Sequence, residues 1–259
     1  MQHGAMNTLL SLYQEMGWGL SLLVLATFLL AGTVKGVIGL GLPTVSMGLL
    51  GLAMAPAHAA ALLIVPSTFT NLWQLLLGGH LRGLIVRLWP MLLAIFIGTG
   101  IGSLWLGMDG GQWVARALGG ALVAYAMCGL FLPVLRVAAR HERWLGPVCG
   151  IATGIITAAT GVFVIPAVPY LQALGLSRDE LVQALGLSFS VSTLALAAGL
   201  LWHGELGSGE LGASLVMLLP ALIGMQVGQW LRQRISAALF KRVFFIGLAM
   251  LGAHLLING

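Results

Sequence analysis

The chain has 259 residues, of which 59% are hydrophobic and 7% charged. A soluble domain carries roughly 25% charged residues, so this inventory cannot cover a water-exposed surface and describes an integral membrane protein, all-α and polytopic. The formal charge of +5 does not point to nucleic acid; the basic residues are scattered at the ends of apolar stretches, as in cytoplasmic loops.

Residues 1–17 contain no Lys or Arg. The positive start of a cleaved signal peptide is therefore missing, and this stretch reads as an N-terminal segment leading into the first membrane helix. Crossing the hydrocarbon takes about 20 apolar residues as a helix. Stretches free of Asp, Glu, Lys and Arg run over 16–34, 36–81, 88–108, 117–135, 144–177, 181–204, 211–231 and 243–259. The second is long enough for two helices and divides at Ala55-Pro56, giving 36–55 and 58–77. The stretch 144–177 is too long for one crossing and is interrupted by Pro147, Gly150, Gly154, Gly161, Pro166 and Pro169. Pro and Gly end or kink helices, so it reads as a broken, hairpin-like element.

A duplication runs through this order. Gly32-x-x-x-Gly36 aligns with Gly150-x-x-x-Gly154, Gly51-Leu52 with Gly175-Leu176, and Gly98-x-x-x-Gly102 with Gly224-x-x-x-Gly228. Equivalent loops carry opposite charge. Arg82 and Arg87 in the first half face Glu205 and Glu210 in the second, and Asp109 faces Arg232, Arg234 and Lys241. Under the positive-inside rule this is the mark of two halves inserted in opposite orientations. Arg136, Arg140 and Arg143 place the central linker on the cytoplasmic side. For Arg232 and Lys241 to join them, 144–177 must enter and leave on one side. The expected layout is an N-terminal segment 1–17, a first repeat 18–135, a cytoplasmic linker 136–146 and a second repeat 147–259. Each repeat then has three long helices and a hairpin-like pair, with both termini outside an inner membrane.

The run Gly32-Thr33-Val34-Lys35-Gly36-Val37-Ile38-Gly39-Leu40-Gly41-Leu42-Pro43-Thr44 carries the first functional signal. Lys35 is the only formal charge between Glu15 and Arg82. A lysine inside an apolar segment costs about 2.5–3.5 kcal/mol on insertion scales; an anionic substrate would offset that, or the side chain snorkels from a turn. Gly39 and Gly41 favour an interrupted helix with a new N-terminus near Pro43 and Thr44, where free N–H groups attract anions. The second half offers a matching break at Thr157-Ala158-Ala159-Thr160-Gly161, and paired broken helices point to a transporter's binding site. Ser67, Thr70, Asn71 and Gln74 share one helical face; Gln183, Ser188, Ser190, Ser192 and Thr193 are their counterparts. Such groups bind oxyanions or hydrogen-bond between helices.

The Lys35 run, the Pro66…Asn71-x-x-Gln74 helix and the Gly-rich start of the second half resemble the TauE/SafE sulfite-exporter family of membrane permeases, over about residues 18–257. The resemblance implies a duplicated membrane permease for sulfite, organosulfonates or other small organic anions. Lys35, Gly39, Gly41, Pro43, Thr44, Asn71, Gln74, Thr157, Thr160, Gly161 and Ser190 are the expected substrate-binding residues.

All seven acids read as loop or terminal residues, so proton coupling would fall to histidines in apolar stretches, His58 and His254. Cys128 and Cys149 have neither the number nor the spacing of a disulfide framework or metal site. No metal, cofactor or nucleophile–base motif is found, so neither a cofactor nor an enzymatic activity is expected. Most tryptophans fall at segment ends, as an interfacial belt requires. The expected partners are the lipid bilayer and a small anion carried by alternating access, or by a channel of the same architecture. The sequence sets no oligomeric state; a homodimer is compatible with it.

Overall fold

The computed structural model describes residues 2–106, 112–131 and 136–259, apart from the side chains of 2–17 and of Ala237. Asp109 lies outside the described residues. The described chain is helical throughout and contains no strand. In the first half, α1 is Gln2–Ile38, α2 Leu42–Leu50, α3 Pro56–Leu76, α4 Leu81–Trp105 and α5 Gln112–Phe131. In the second, α6 is Ala139–Thr160, α7 Ala167–Ala173, α8 Arg178–Trp202, α9 Ser208–Arg232 and α10 Ala237–Asn258. Among the described residues seven helices are long and apolar enough to cross a membrane: Trp18–Ile38 of α1, α3, α4, α5, α8, α9 and Ala238–Asn258 of α10. The protein is a multi-pass membrane protein.

Two boundaries differ from the sequence reading. The expected helix over 36–55 does not exist as one element. Lys35 through Ile38 complete α1, and α2 has nine residues, only about 13 Å of helix against a hydrocarbon core of roughly 30 Å. Lys35 stays inside the last turn of α1, donating to Thr70 and Asn71 of α3. The break lies where the glycines favour it in the sequence, at Gly39 (φ 77°) and Gly41 (φ 113°), a left-handed backbone region that L side chains avoid. Pro43 in the first turn then helps start α2.

The hairpin over 144–177 is present. α6 ends at Gly161 (φ 69°), and the chain returns through α7. The amide of Val137, just before α6, donates to the Ala173 carbonyl at the end of α7 at 2.9 Å. The segment therefore enters and leaves at one end of the bundle. The Arg87 side chain fixes the same junction, pairing with Glu142 at 2.7 Å and donating to the Leu174 carbonyl at 3.1 Å.

Helix packing follows the glycines. α1 lies along α9 in parallel, and a Cβ at Gly32 would stand 2.1 Å from the Ala221 carbonyl oxygen, one at Gly36 2.3 Å from that of Met225. α4 lies along α6 in the same way: a Cβ at Gly150 would stand 2.5 Å from the Met91 carbonyl and one at Gly154 2.4 Å from that of Ile95. Without a hydrophobic drive between helices in lipid, close backbone approach of this kind is what holds them. α3 packs on α8 and α5 on α10. Exchanging α1–α5 with α6–α10 maps these principal pairings onto one another.

The bundle has two chemically distinct ends. Gly78 and His80 meet Gln183 near the start of α8, so Arg82 lies at that end, as do Arg87 and Glu142. At the other end His203 Nε2 sits 2.9 Å from the Ser103 carbonyl, and Arg116 donates to Gly259 at 3.0 Å. Arg82 and Glu205 therefore lie at opposite ends of α8.

Candidate functional site

Lys35 sits in the last turn of α1 and is only 4% exposed. Its Nζ donates to Thr70 Oγ1 at 2.9 Å and to Asn71 Oδ1. Thr70 spends its own hydroxyl proton on the Pro66 carbonyl at 2.7 Å, so it can only accept from the amine. Asn71 in turn donates through Nδ2 to Thr193 Oγ1 of α8 at 3.2 Å. One chain of contacts thus ties the broken helix α1 to α3 and α8. Among the described residues the only ion pair is Arg87–Glu142; Lys35 has neutral acceptors and no acid.

The break itself is clamped from α3. Gln74 Nε2 donates to the Gly39 carbonyl at 2.6 Å, while its buried Oε1 has no partner. That carbonyl is one an interrupted helix leaves free. Thr44 is fully buried and donates to the Gly41 carbonyl at 3.0 Å, and Pro43 lies beside it in the first turn of α2. Gln183 performs a matching task at the end of α3, donating to Leu75 at 2.7 Å and Gly78 at 2.8 Å.

The second break is close but differently built. Gly161 faces α2, where an added Cβ would stand 2.8 Å from Met47 Cε. Thr157 and Thr160 donate back to Thr153 and Ile156 of their own helix, each at 2.7 Å. Ser190 likewise donates to the Gly186 carbonyl at 2.7 Å and does not join the Lys35 network. His58 and His254 are not near it either. His58 is exposed in the first turn of α3, and His254 is exposed and next to Asn258 near the end of α10. Both sit in apolar stretches, and in lipid an apolar helix face points outward.

A cavity of about 630 Å³ opens beneath the first break. Val37 through Leu40 form part of its wall, with Tyr125, Tyr170 and Phe245 as its aromatic lining. Among the described residues three cations, Arg178, Arg232 and Lys241, line it and no acid does. In the sequence Arg232 and Lys241 read only as topology markers, and Arg178 and Tyr125 carry no signal; nothing in their local spacing marks a shared cavity, because seven different helices line it. Buried hydroxyls without a protein partner include Ser46 of α2, Ser67 of α3, and Ser188 and Ser192 of α8.

The arrangement offers a buried cation held by neutral groups, spare hydroxyls on adjacent helices and a cation-lined approach. Chemically it suits an anion and lacks the clustered acids of a cation site. Among the described residues no group of His, Cys, Asp or Glu could hold a metal ion. Comparison with curated proteins and with solved structures returned no match. The family model described as Sulfite exporter TauE/SafE matches residues 24–255. That span includes both breaks, the Lys35 network and every cavity-lining residue, and the chain belongs to the TauE/SafE sulfite exporter family of membrane transporters.

Proposed function

We propose that the protein is a secondary transporter that moves sulfite, an organosulfonate or a related small organic anion across an inner membrane by alternating access. The observation that carries this reading is Lys35: a buried lysine bound only by Thr70 and Asn71, with no acid at hand. A full charge in the membrane interior costs several kcal/mol unless it is compensated, and a bound anion compensates it. The spare hydroxyls supply further donors, and the cation-lined cavity raises the local anion concentration.

The two halves, in this reading, are inserted in opposite orientations, with the Arg-rich end cytoplasmic and both chain termini outside. The exchange symmetry of the helix pairs supports it, as does the segregation of Arg82 from Glu205. Each charge moved net across the membrane is worth about 2.3 kcal/mol per 100 mV, so an interior-negative potential favours export only of anion that crosses without exchange.

The direct test is flux of labelled sulfite in proteoliposomes, preceded by a thermal-shift screen against sulfite, sulfonates, thiosulfate and short carboxylates. Saturable flux that falls to background at low sulfite in Lys35→Met, with the variant still folded, is the expected result. Undiminished flux in that variant would remove Lys35 from the site, and non-saturating conductance would make the protein a channel.

A further inference from the structure

We propose, building on the transport reading above, that the unmatched charge of Lys35 makes the protein an obligate anion exchanger, in which the loaded carrier reorients and the empty one does not. An ammonium group has three N–H donors and no acceptor. Lys35 has two partners, Thr70 Oγ1 and Asn71 Oδ1, both neutral. One donor and the whole charge are left over for a ligand.

No acid on the neighbouring elements can take that role. α2 has no ionisable residue, and α3 has only the exposed His58. On α8, Glu180 is used at the helix start, accepting from the Ser177 amide at 2.8 Å, and Asp179 is exposed beside it. On α9, Glu210 accepts from the Gly207 amide at 2.9 Å at the opposite end of the bundle, and Arg232 is a cation. α10 offers only Lys241, Arg242 and His254. Glu15, the one acid of α1, is separated from Lys35 by about 30 Å of helix.

The cavity sets the consequence. It reaches Val37–Leu40, the turn that follows Lys35. Any passage to an outward-facing state must close this space, removing the nearest high-dielectric volume from a charge that already lacks a counter-ion. Charge burial becomes more costly as local dielectric falls. With an anion beside Lys35 the pair crosses together; without one, the closing step is blocked.

Two measurements test this. Proteoliposomes loaded with labelled sulfite are diluted into buffer with or without sulfite, and efflux should be at least tenfold faster with sulfite outside. Lys35→Gln, assayed at saturating sulfite to offset its weaker binding, should lose that difference, and Lys35→Arg should keep it. The second reads conformation through Cys128 and Cys149, the only cysteines in the chain, both half-buried and both on the cavity wall. In sulfite-free buffer, N-ethylmaleimide should label wild type and Lys35→Arg quickly and Lys35→Gln several-fold more slowly, because the uncharged carrier can close.

Equal efflux into both buffers in wild type overturns the proposal, as does unchanged labelling in folded Lys35→Gln. Protons moving one-for-one with net efflux would overturn it too, since Lys35 would then discharge itself. Slowed labelling in Lys35→Gln without any sulfite flux in wild type upholds the lock and instead removes sulfite as the cargo. The efflux comparison in wild type stands even if the variants fail to fold.

Discussion

The two broken helices share a scaffold and differ in charge. In α1 the Gly32-x-x-x-Gly36 face packs on α9, and Lys35 lies within it; in α6 the Gly150-x-x-x-Gly154 face packs on α4, and Thr153 occupies the equivalent place. Both helices stop at a glycine of positive φ, Gly39 and Gly161. The Thr153 hydroxyl is fully buried without a partner, whereas Lys35 is linked to two helices. The second half therefore breaks and packs its helix with no cation in the three turns before the break. Glycines are sufficient for the architecture, and Lys35 must be explained by something that only the first half does.

The largest expected effect falls on what the halves share. Gly36→Leu places side-chain atoms where even a Cβ would stand 2.3 Å from the Met225 carbonyl. It should separate α1 from α9 and abolish the monodisperse peak on size exclusion, whereas Gly79→Ala, with nothing within 4 Å of its added Cβ, should elute and melt like wild type. Next comes what they do not share. Lys35→Thr gives the first break the chemistry of the second. Losing a charge-assisted hydrogen bond costs about 1.5–3 kcal/mol, so the apparent affinity for sulfite should weaken roughly 10- to 100-fold while the thermal transition persists. A Lys35→Thr protein that retained wild-type affinity would leave the asymmetry without a functional meaning.

Much of this was legible in the sequence because it rests on local pattern. A charge-free stretch longer than one crossing and interrupted by Pro147, Gly161, Pro166 and Pro169 cannot be a single helix, and 144–177 folds as the hairpin it suggests. Lys35, Asn71 and Gln74 were picked out by polarity against an apolar background. What failed did so for want of partners. In the sequence Lys35 only bounds the apolar stretch that becomes α1, because burial of a charge inside a helix depends on α3, which spacing does not reveal. Ser190 was a reasonable donor until its own helix carbonyl claimed it. The cavity drew Arg178, Arg232, Lys241 and Tyr125 from four helices, a convergence that no single stretch encodes.

A smaller effect separates residues that belong to the network from those that merely resemble them. Asn71→Ala removes the acceptor for Lys35 and the donor to Thr193. It should lower sulfite affinity about tenfold, the loss of a single hydrogen bond to a charged group. Ser190→Ala breaks only a bond to its own helix and should leave affinity within error, by titration of the thermal shift. Equal losses in the two variants would mean that the α8 serines bind the anion as directly as Asn71 does.

The finest test is at Thr153, where the expected sign is opposite. Thr153→Val keeps the shape of the side chain and removes its hydroxyl. A buried polar group without a partner costs about 1–3 kcal/mol, whereas its apolar replacement fits the same space against α4. The carbonyl of Thr153 continues to accept from Thr157 at 2.7 Å, so the helix end is undisturbed. The variant should melt a few degrees higher than wild type with flux and affinity unchanged. If flux falls instead, the Thr153 hydroxyl is held unpaired for the substrate, and the second half is a neutral arm of the same anion site rather than its scaffold.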